Sequence, residues 1–293
     1  MARFVLSAFA DEAGASIEEQ IAALKENGID YIEPRNIGGK GILDLSEEEL
    51  ADIKSKLDEN GIKVNSLGSP IGKYNISDDF APHLELTRKA ISVCQTLGTK
   101  NMRMFSFFTP QEELSKNRDE VIRRLKIMAD EAKKAGITLC HENESRIYGQ
   151  MPREVEDILT SVDGLGGIFD PANYRMNDAD VMDGINATLL NFKYMHIKDA
   201  IFSSQTIVPA GEGEGKIGEI IDIVNEKVDG VVYLTLEPHL HIFDAYKSID
   251  EHELKGKYSF KTNREAFDFA TNALKALLKK QGYERNENNE WIK

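Results

Sequence analysis

The amino-acid sequence predicts an α/β chain folded as a single-domain (β/α)8 barrel. Three observations predict it: helical and apolar segments alternate strictly, a Gly stands at most helix-to-strand junctions, and the apolar runs number eight. The first run, Phe4 to Ala8, reads as a buried strand. Four junctions follow in order: Lys25-Glu26-Asn27-Gly28 before Ile29 to Ile32, Asp58-Glu59-Asn60-Gly61 before Ile62 to Leu67, Thr96-Leu97-Gly98 before Asn101 to Phe105, and Lys133-Lys134-Ala135-Gly136 before Ile137 to Cys140. Gly164 precedes the sixth run, Gly167 to Phe169; Phe192 to His196 is the seventh; Asp229-Gly230 introduces the eighth, Val231 to Leu236. Helical stretches at about 16–27, 46–59, 79–97, 112–135, 152–162, 178–190, 217–227 and 262–281 separate and follow these runs. Gly suits the left-handed residue that ends a helix, so helix, Gly, strand is the repeating unit. Alternation of this kind implies parallel strands with right-handed crossovers. An open doubly wound sheet is the alternative, but the glycine fingerprint after its first strand is missing, since Ser7 to Gly14 reads S-A-F-A-D-E-A-G. The barrel is expected over residues 1–282, with a long connection at 239–261 after the eighth strand, and 283–293 reads as a polar tail carrying Trp291.

Charge narrows the partners. Against 36 Lys and Arg stand 50 Asp and Glu, a formal charge of −14, so a nucleic-acid backbone or an anionic membrane surface would be repelled. No apolar run approaches the ~20 residues needed to span a bilayer. Met1-Ala2-Arg3 and Phe4 to Ala10 superficially resemble a secretion signal, but the apolar stretch is short and Asp11-Glu12 follows at once, so a buried strand is the better reading. Cys94 and Cys140 form no C-x-x-C pair and fit a reducing compartment, so the protein is expected to be cytoplasmic.

In a barrel the C-terminal ends of the strands face the active site. Polar residues at those ends are Glu33, Glu142, Asp170, His196 and Glu237, and the last four close strands five to eight in succession. Three carboxylates and an imidazole converging on one mouth would repel one another without a cation between them, which implies a single divalent metal. Oxygen-rich ligation with one His suits Mn2+, Mg2+ or Co2+ better than Zn2+, although zinc could also bind. Residues two apart on a strand share a face, so Cys140 points inward with Glu142 while His141 faces the helices as a packing residue; Lys198 shares a side with His196. The competing explanation is that each acid pairs with a nearby Lys or Arg.

The segments L-C-H-E-N-E around Glu142, G-I-F-D-P-A-N-Y around Asp170, M-H-I-K-D around His196 and L-T-L-E-P-H around Glu237 resemble the metal-site segments of the xylose isomerase-like sugar isomerase and epimerase family, and V-P-A-G-E-G-E-G at 208–215 resembles its loop after the seventh strand. The similarity extends over about residues 3 to 280. It implies a metal-dependent sugar isomerase or epimerase in which Glu142, Asp170, His196 and Glu237 hold one ion. Glu142 and Glu237 would be the catalytic pair, one taking a proton next to the carbonyl and the other returning it through a metal-stabilised enediolate. Ketose 3-epimerases of the family tend to carry a His where this chain has Asn173, and an Arg shortly after the metal His where this chain has Lys198 and Asp199, so a free-ketose 3-epimerase is the less apt variant.

Glu33, Arg103, Asn173, Lys198 and His239 are the expected substrate-binding positions, with structural ion pairs as the competing role for Glu33, Arg103 and Lys198. Gly211 to Gly215 reads as a flexible active-site loop, because its two Glu would repel phosphate. His239 and His241 form an H-x-H pair that reads as an adventitious or substrate-contacting feature rather than a second metal site. No Gly-x-Ser-x-Gly elbow occurs, and Cys140 and His141 face opposite ways, so nucleophilic catalysis is not expected. Three other functions fit parts of the pattern: a keto-sugar or keto-inositol dehydratase on the same site, an abasic-site endonuclease disfavoured by the charge, and a non-catalytic sugar-binding subunit. A homo-oligomer using the 239–261 connection is also compatible with the sequence.

Overall fold

The structure is a computed structural model that describes residues 1–241, 255–256 and 258–293. Eight parallel strands form the barrel: β1 (Ala2–Ala8), β2 (Tyr31–Ile32), β3 (Lys63–Val64), β4 (Asn101–Met104), β5 (Thr138–Glu142), β6 (Gly166–Phe169), β7 (Phe192–Ile197) and β8 (Gly230–Leu236). Helices α1 (Ile17–Glu26), α2 (Glu47–Glu59), α3 (Phe80–Leu97), α4 (Leu114–Lys134), α5 (Pro152–Ser161), α6 (Pro171–Met176), α7 (Val181–Thr188), α8 (Ile217–Lys227) and α9 (Asn263–Lys280) follow the strands.

Local chemistry explains the boundaries. Ser16 with Glu19 and Ser46 with Glu49 form reciprocal capping boxes that open α1 and α2. Gly28, Gly61, Gly98 and Gly136, the junction residues of the repeat, all take positive φ. Buried apolar residues then line the contacts between strands and helices, with Leu24, Leu57, Leu125, Ile158, Ile185, Val224 and Leu274 all fully or nearly fully buried. α6 is a short helix absent from the sequence reading; Asp170 caps it through a bond from Asn173 N to Oδ1 at 2.9 Å, and Pro171 occupies its first position.

The parallel ladder runs continuously from β1 through β8, β7, β6 and β5 to β4. On the other side the pairing is sparser. Leu67 bridges Met102, β2 pairs β3 at Tyr31 and Ile32, and Glu33 N donates to Ala8 O at 3.0 Å. β2 and β3 are therefore shorter than their apolar runs, and the barrel is most loosely stitched at the seam between β1 and β2.

The polar tail fills that seam. Residues 283–293 do not trail into solvent: β9 (Glu284–Arg285) and β10 (Glu290–Ile292) form a hairpin, and β10 pairs antiparallel with β1 at Phe4 and Val5. Asn289 Nδ2 donates to Asp30 Oδ2 at 2.6 Å and Arg285 to Gly28 O at 2.7 Å, so the hairpin is bonded to both flanks of the gap. Trp291 is 1% exposed, and Tyr283 packs edge-on against Phe4. An apolar anchor hidden in a polar sequence is why composition alone mislabels this segment.

The 239–261 connection lies mostly outside the described residues. Lys255–Gly256 pairs parallel with Thr206 and Ile207, and the Thr206–Val208 strand pairs in turn with Asp199–Ile201. Among the described residues, no helix is long and apolar enough to cross a membrane.

Candidate metal centre

Four consecutive strands deliver the cluster. Glu142 ends β5, Asp170 follows β6, His196 is the penultimate residue of β7 and Glu237 follows β8. All four are buried, and one donor atom from each lies within 4.8 Å of the others. His196 aims Nδ1 into the cluster, 2.9 Å from Glu142 Oε1 and 3.5 Å from Glu237 Oε2. Its other nitrogen, Nε2, faces Glu33 Oε2 at 3.4 Å, and Glu33 is itself fixed by Tyr194 OH at 2.8 Å. A carboxylate behind the imidazole that points the far nitrogen at a metal is the usual outer support of a histidine ligand. Asp170 divides its oxygens: Oδ1 caps α6 and Oδ2 faces the cluster beside Lys198 Nζ at 2.8 Å. Asn143 clasps the Asp170 backbone through bonds of 2.9 and 3.0 Å.

Each glutamate is also gripped by an arginine. Arg103 NH1 lies 3.3 Å from Glu142 Oε2, and its remaining nitrogens donate to Gly68 O and Ser69 O. Arg35 NH1 donates to Glu237 Oε1 at 2.9 Å while Nε and NH2 form a fork with Asp11 at 3.0 and 3.1 Å. Lys198 Nζ stands 3.4 Å from Glu237 Oε2. Burial works against ionising Glu142, yet His196 and Arg103 hold it below the usual carboxylate range. The same contest at Glu237 is won by the nearby cations, chiefly Lys198, which hold it well below that range. Burial pushes Asp170 up to about 7 despite Lys198, and pushes Glu12 well above an ordinary carboxyl. Burial opposes the imidazolium of His196, but Glu142 and Glu33 on its two sides raise it to about 10.

The charge balance states what fits here. The buried acids of the cluster and of its direct contacts are Asp11, Glu12, Glu33, Glu142, Asp170 and Glu237; the buried fixed cations beside them are Arg35, Arg103 and Lys198. With Glu12 protonated, His196 neutral and Asp170 ionised, these acids exceed the cations by the two charges that one divalent cation neutralises; without an ion, protons on His196 and Asp170 offset that surplus. Three carboxylates and one imidazole, buried and convergent, form a hard donor set that suits such an ion. A second group, Glu12, Glu237 and His239, is equally close-set, but Arg35 already occupies the Glu237 oxygen on that side and lies 3.5 Å from Glu12.

The xylose isomerase-like TIM barrel pattern matches residues 21–256. The chain belongs to that family. No curated protein matches the sequence significantly. Among solved structures, the chain is similar to an L-ribulose 3-epimerase at TM-score 0.72 and 18% identity, covering 96% of each chain. It is similar to the IOLI protein with a bound zinc atom at TM-score 0.73 and 16% identity, covering 95% of this chain and 99% of the other. The probable 3-DHS dehydratase AsbF of Bacillus anthracis aligns at TM-score 0.71 and 14% identity, covering 94% of this chain and 99% of the other.

The remaining expected positions of this xylose isomerase-like chain are distributed as follows. Asn173 donates to Asn143 O at 2.8 Å and reaches within 3.5 Å of Glu142 Oε1, so it borders the cluster. His239 sits at the rim with φ +46, its N donating to Glu12 Oε2 at 2.7 Å. Glu33 is 0% exposed and lies behind His196, where its contacts are those of a support. His141 faces away from the barrel axis, 2.9 Å from Ser106 Oγ, and burial lowers it to about 4. Lys198 pairs with Asp170 and Glu237 and not with Asp199.

Asp199 has another task, which corrects the reading of Gly211 to Gly215 as a flexible loop. Backbone N–H groups of Gly211, Gly213 and Gly215 donate to its buried carboxylate at 2.9, 3.0 and 2.9 Å. The loop is a cradle, and the anion in it is the protein's own side chain. A Cβ would lie 2.2 Å from Asp199 Oδ1 at Gly213 and 2.7 Å from it at Gly215, so close approach requires these two glycines, while Gly211 is fixed by its positive φ. Sequence reading also missed Arg35, Asp11 and Glu12, which stand beyond the ends of β2 and β1, where strand parity is no guide.

Proposed function

We propose that the protein is a divalent-metal-dependent sugar isomerase or epimerase that moves a proton beside a carbonyl through an enediolate. The observation that carries the proposal is the disposition of Glu142 and Glu237. Both are buried, both are held in the ionised form, both turn one oxygen toward His196 Nδ1, and each has its other oxygen gripped by a separate arginine. Two buried, ionised carboxylates fixed beside one metal site suit a pair that takes and returns the same substrate proton. Glu142, Asp170, His196 and Glu237 would hold the ion, which when bound supplies the Lewis acidity that eases removal of the proton next to a carbonyl. One glutamate accepts that proton and the other, once protonated, returns one to the opposite face or to the neighbouring carbon. Lys198 and Asn173 stand where they can donate hydrogen bonds to substrate oxygens. The donor set favours Mn2+, Mg2+ or Co2+, and Zn2+ is the ion held by the IOLI neighbour.

One observation favours a second reading. An ammonium, Lys198, borders the ionised pair, so the same proton removal could be followed by loss of a β-hydroxyl as water, and the similarity to a probable 3-DHS dehydratase supports that variant. The deciding experiment is NMR after incubation of the metal-loaded protein in D2O with aldoses, ketoses and keto-inositols, paramagnetic ions being removed before recording. Deuterium on the carbon beside the carbonyl, suppressed by chelator, is the expected result. A product lighter by one water supports the dehydratase. Absence of exchange with every compound would overturn both and leave a sugar-binding barrel.

A further inference from the structure

Phe9 is the first residue beyond β1, and its side chain is fully buried at the centre of the mouth. Its ring has the Arg35 guanidinium 4.4 Å from its centroid and the Arg103 guanidinium 4.9 Å away. His196 meets the same ring edge-on at 5.0 Å. Its backbone N donates to Leu236 O at 3.0 Å, immediately before Glu237, and a Cβ on Gly68 would lie 2.7 Å from Phe9 Cε1, so the ring is pinned by main chain on two sides. Both arginines that grip the glutamates therefore rest on one aromatic plate. Guanidinium groups favour such faces, most strongly where water is excluded.

We propose that Phe9 is a positioning residue for the metal centre: it joins the Arg103–Glu142 and Arg35–Glu237 pairs into one rigid unit and so fixes the separation of the two glutamates. Nothing in its chemistry touches a proton or an ion. Its effect passes through Arg35 and Arg103, whose forks have other anchors in Asp11 and in the Gly68 and Ser69 carbonyls and need the ring to set their tilt. Phe105 provides the contrast, since its ring lies 5.1 Å from Arg103 but serves only that arginine of the two.

The inference rests on the metal-centre reading, and its test separates the two. Mn2+ affinity is measured by electron paramagnetic resonance titration of the whole protein, with circular dichroism melting as the check on folding. Phe9→Leu is expected to weaken Mn2+ binding about tenfold, as loss of outer support commonly does, and Phe105→Leu by much less. Arg103→Lys, which keeps the charge but not the planar face, is expected to weaken binding similarly and to add little in the Phe9→Leu background. Where exchange is measurable, kcat falls in Phe9→Leu while KM is nearly unchanged. Wild-type affinity in a folded Phe9→Leu, or losses that simply add, would overturn the shared plate. If Phe9→Leu does not fold, Arg35→Lys and Arg103→Lys with their double variant decide the matter alone, additive losses again overturning it. No Mn2+ binding by the unsubstituted protein would instead overturn the metal-centre reading, and this proposal with it.

Discussion

Glu237 is the residue on which most of the site converges, reached by Arg35, Lys198, His196 and His239 at 2.9 to 3.5 Å. On the proposed function Glu237→Gln removes a ligand and a base together, so turnover in the exchange assay is expected to fall by at least about 10²-fold, the usual contribution of a placed acid or base. His196 is raised to about 10 and Asp170 to about 7, so at neutral pH a metal must displace the proton of His196 and the partial proton occupancy of Asp170. Metal affinity should therefore rise with pH through the neutral range, and calorimetry in buffers of different ionisation enthalpy should show proton release. Affinity independent of pH would contradict it. The four clustered residues were legible in the sequence because each stands at a strand end and the strands were countable. Arg35, Asp11 and Glu12 were not, because they act beyond the ends of β1 and β2, where chain direction no longer follows strand parity. Glu33 was recognised as inward-facing, but spacing alone could not distinguish the mouth from the layer beneath it.

At the scale of elements, the Asp199 cradle fastens the loop after β7 to the residue that follows Lys198. Its glycines allow backbone contact on a buried charge, and Gly213→Ala would force a methyl against Asp199 Oδ1. The expected cost is about 1–3 kcal/mol, that of overpacking, read as a lower denaturant midpoint. Asp199→Asn leaves the same N–H groups with a neutral, weaker acceptor and should loosen Lys198, raising KM more than Gly213→Ala does at matched stability. The sequence contained this cradle as G-E-G-E-G; charge logic argued against external phosphate and did not consider a carboxylate twelve to sixteen residues upstream. α6 went unread for a related reason: six residues are too few for periodicity, and its signal was the cap, Asp170 followed by Pro171.

Across the whole molecule, stability should depend on pH through histidines outside the site. Burial lowers His141 to about 4 and, with Arg124, lowers His83 to about 4, against 6.5 ordinarily. The folded state then holds these imidazoles neutral while the unfolded chain takes up protons, so their contribution is complete above pH 6.5 and is lost as pH falls toward 4. His141 alone gives a slope of up to about 1.4 kcal/mol per pH unit in that window; His141→Gln should flatten the profile, measured by urea unfolding. Trp291→Ala removes the apolar anchor of the seam and is expected to cost about 3–5 kcal/mol, seen by circular dichroism. Trp291 is also the only Trp in the sequence, and it sits at the edge of the sheet beside Phe4, in the first half of β1, whereas the ligand cluster gathers past the opposite ends of the strands. Excited selectively, the protein emits from one buried point that reports whether the hairpin is seated. Its emission should shift when the barrel opens and stay still when the mouth fills, an optical gauge of closure that is blind to ligand.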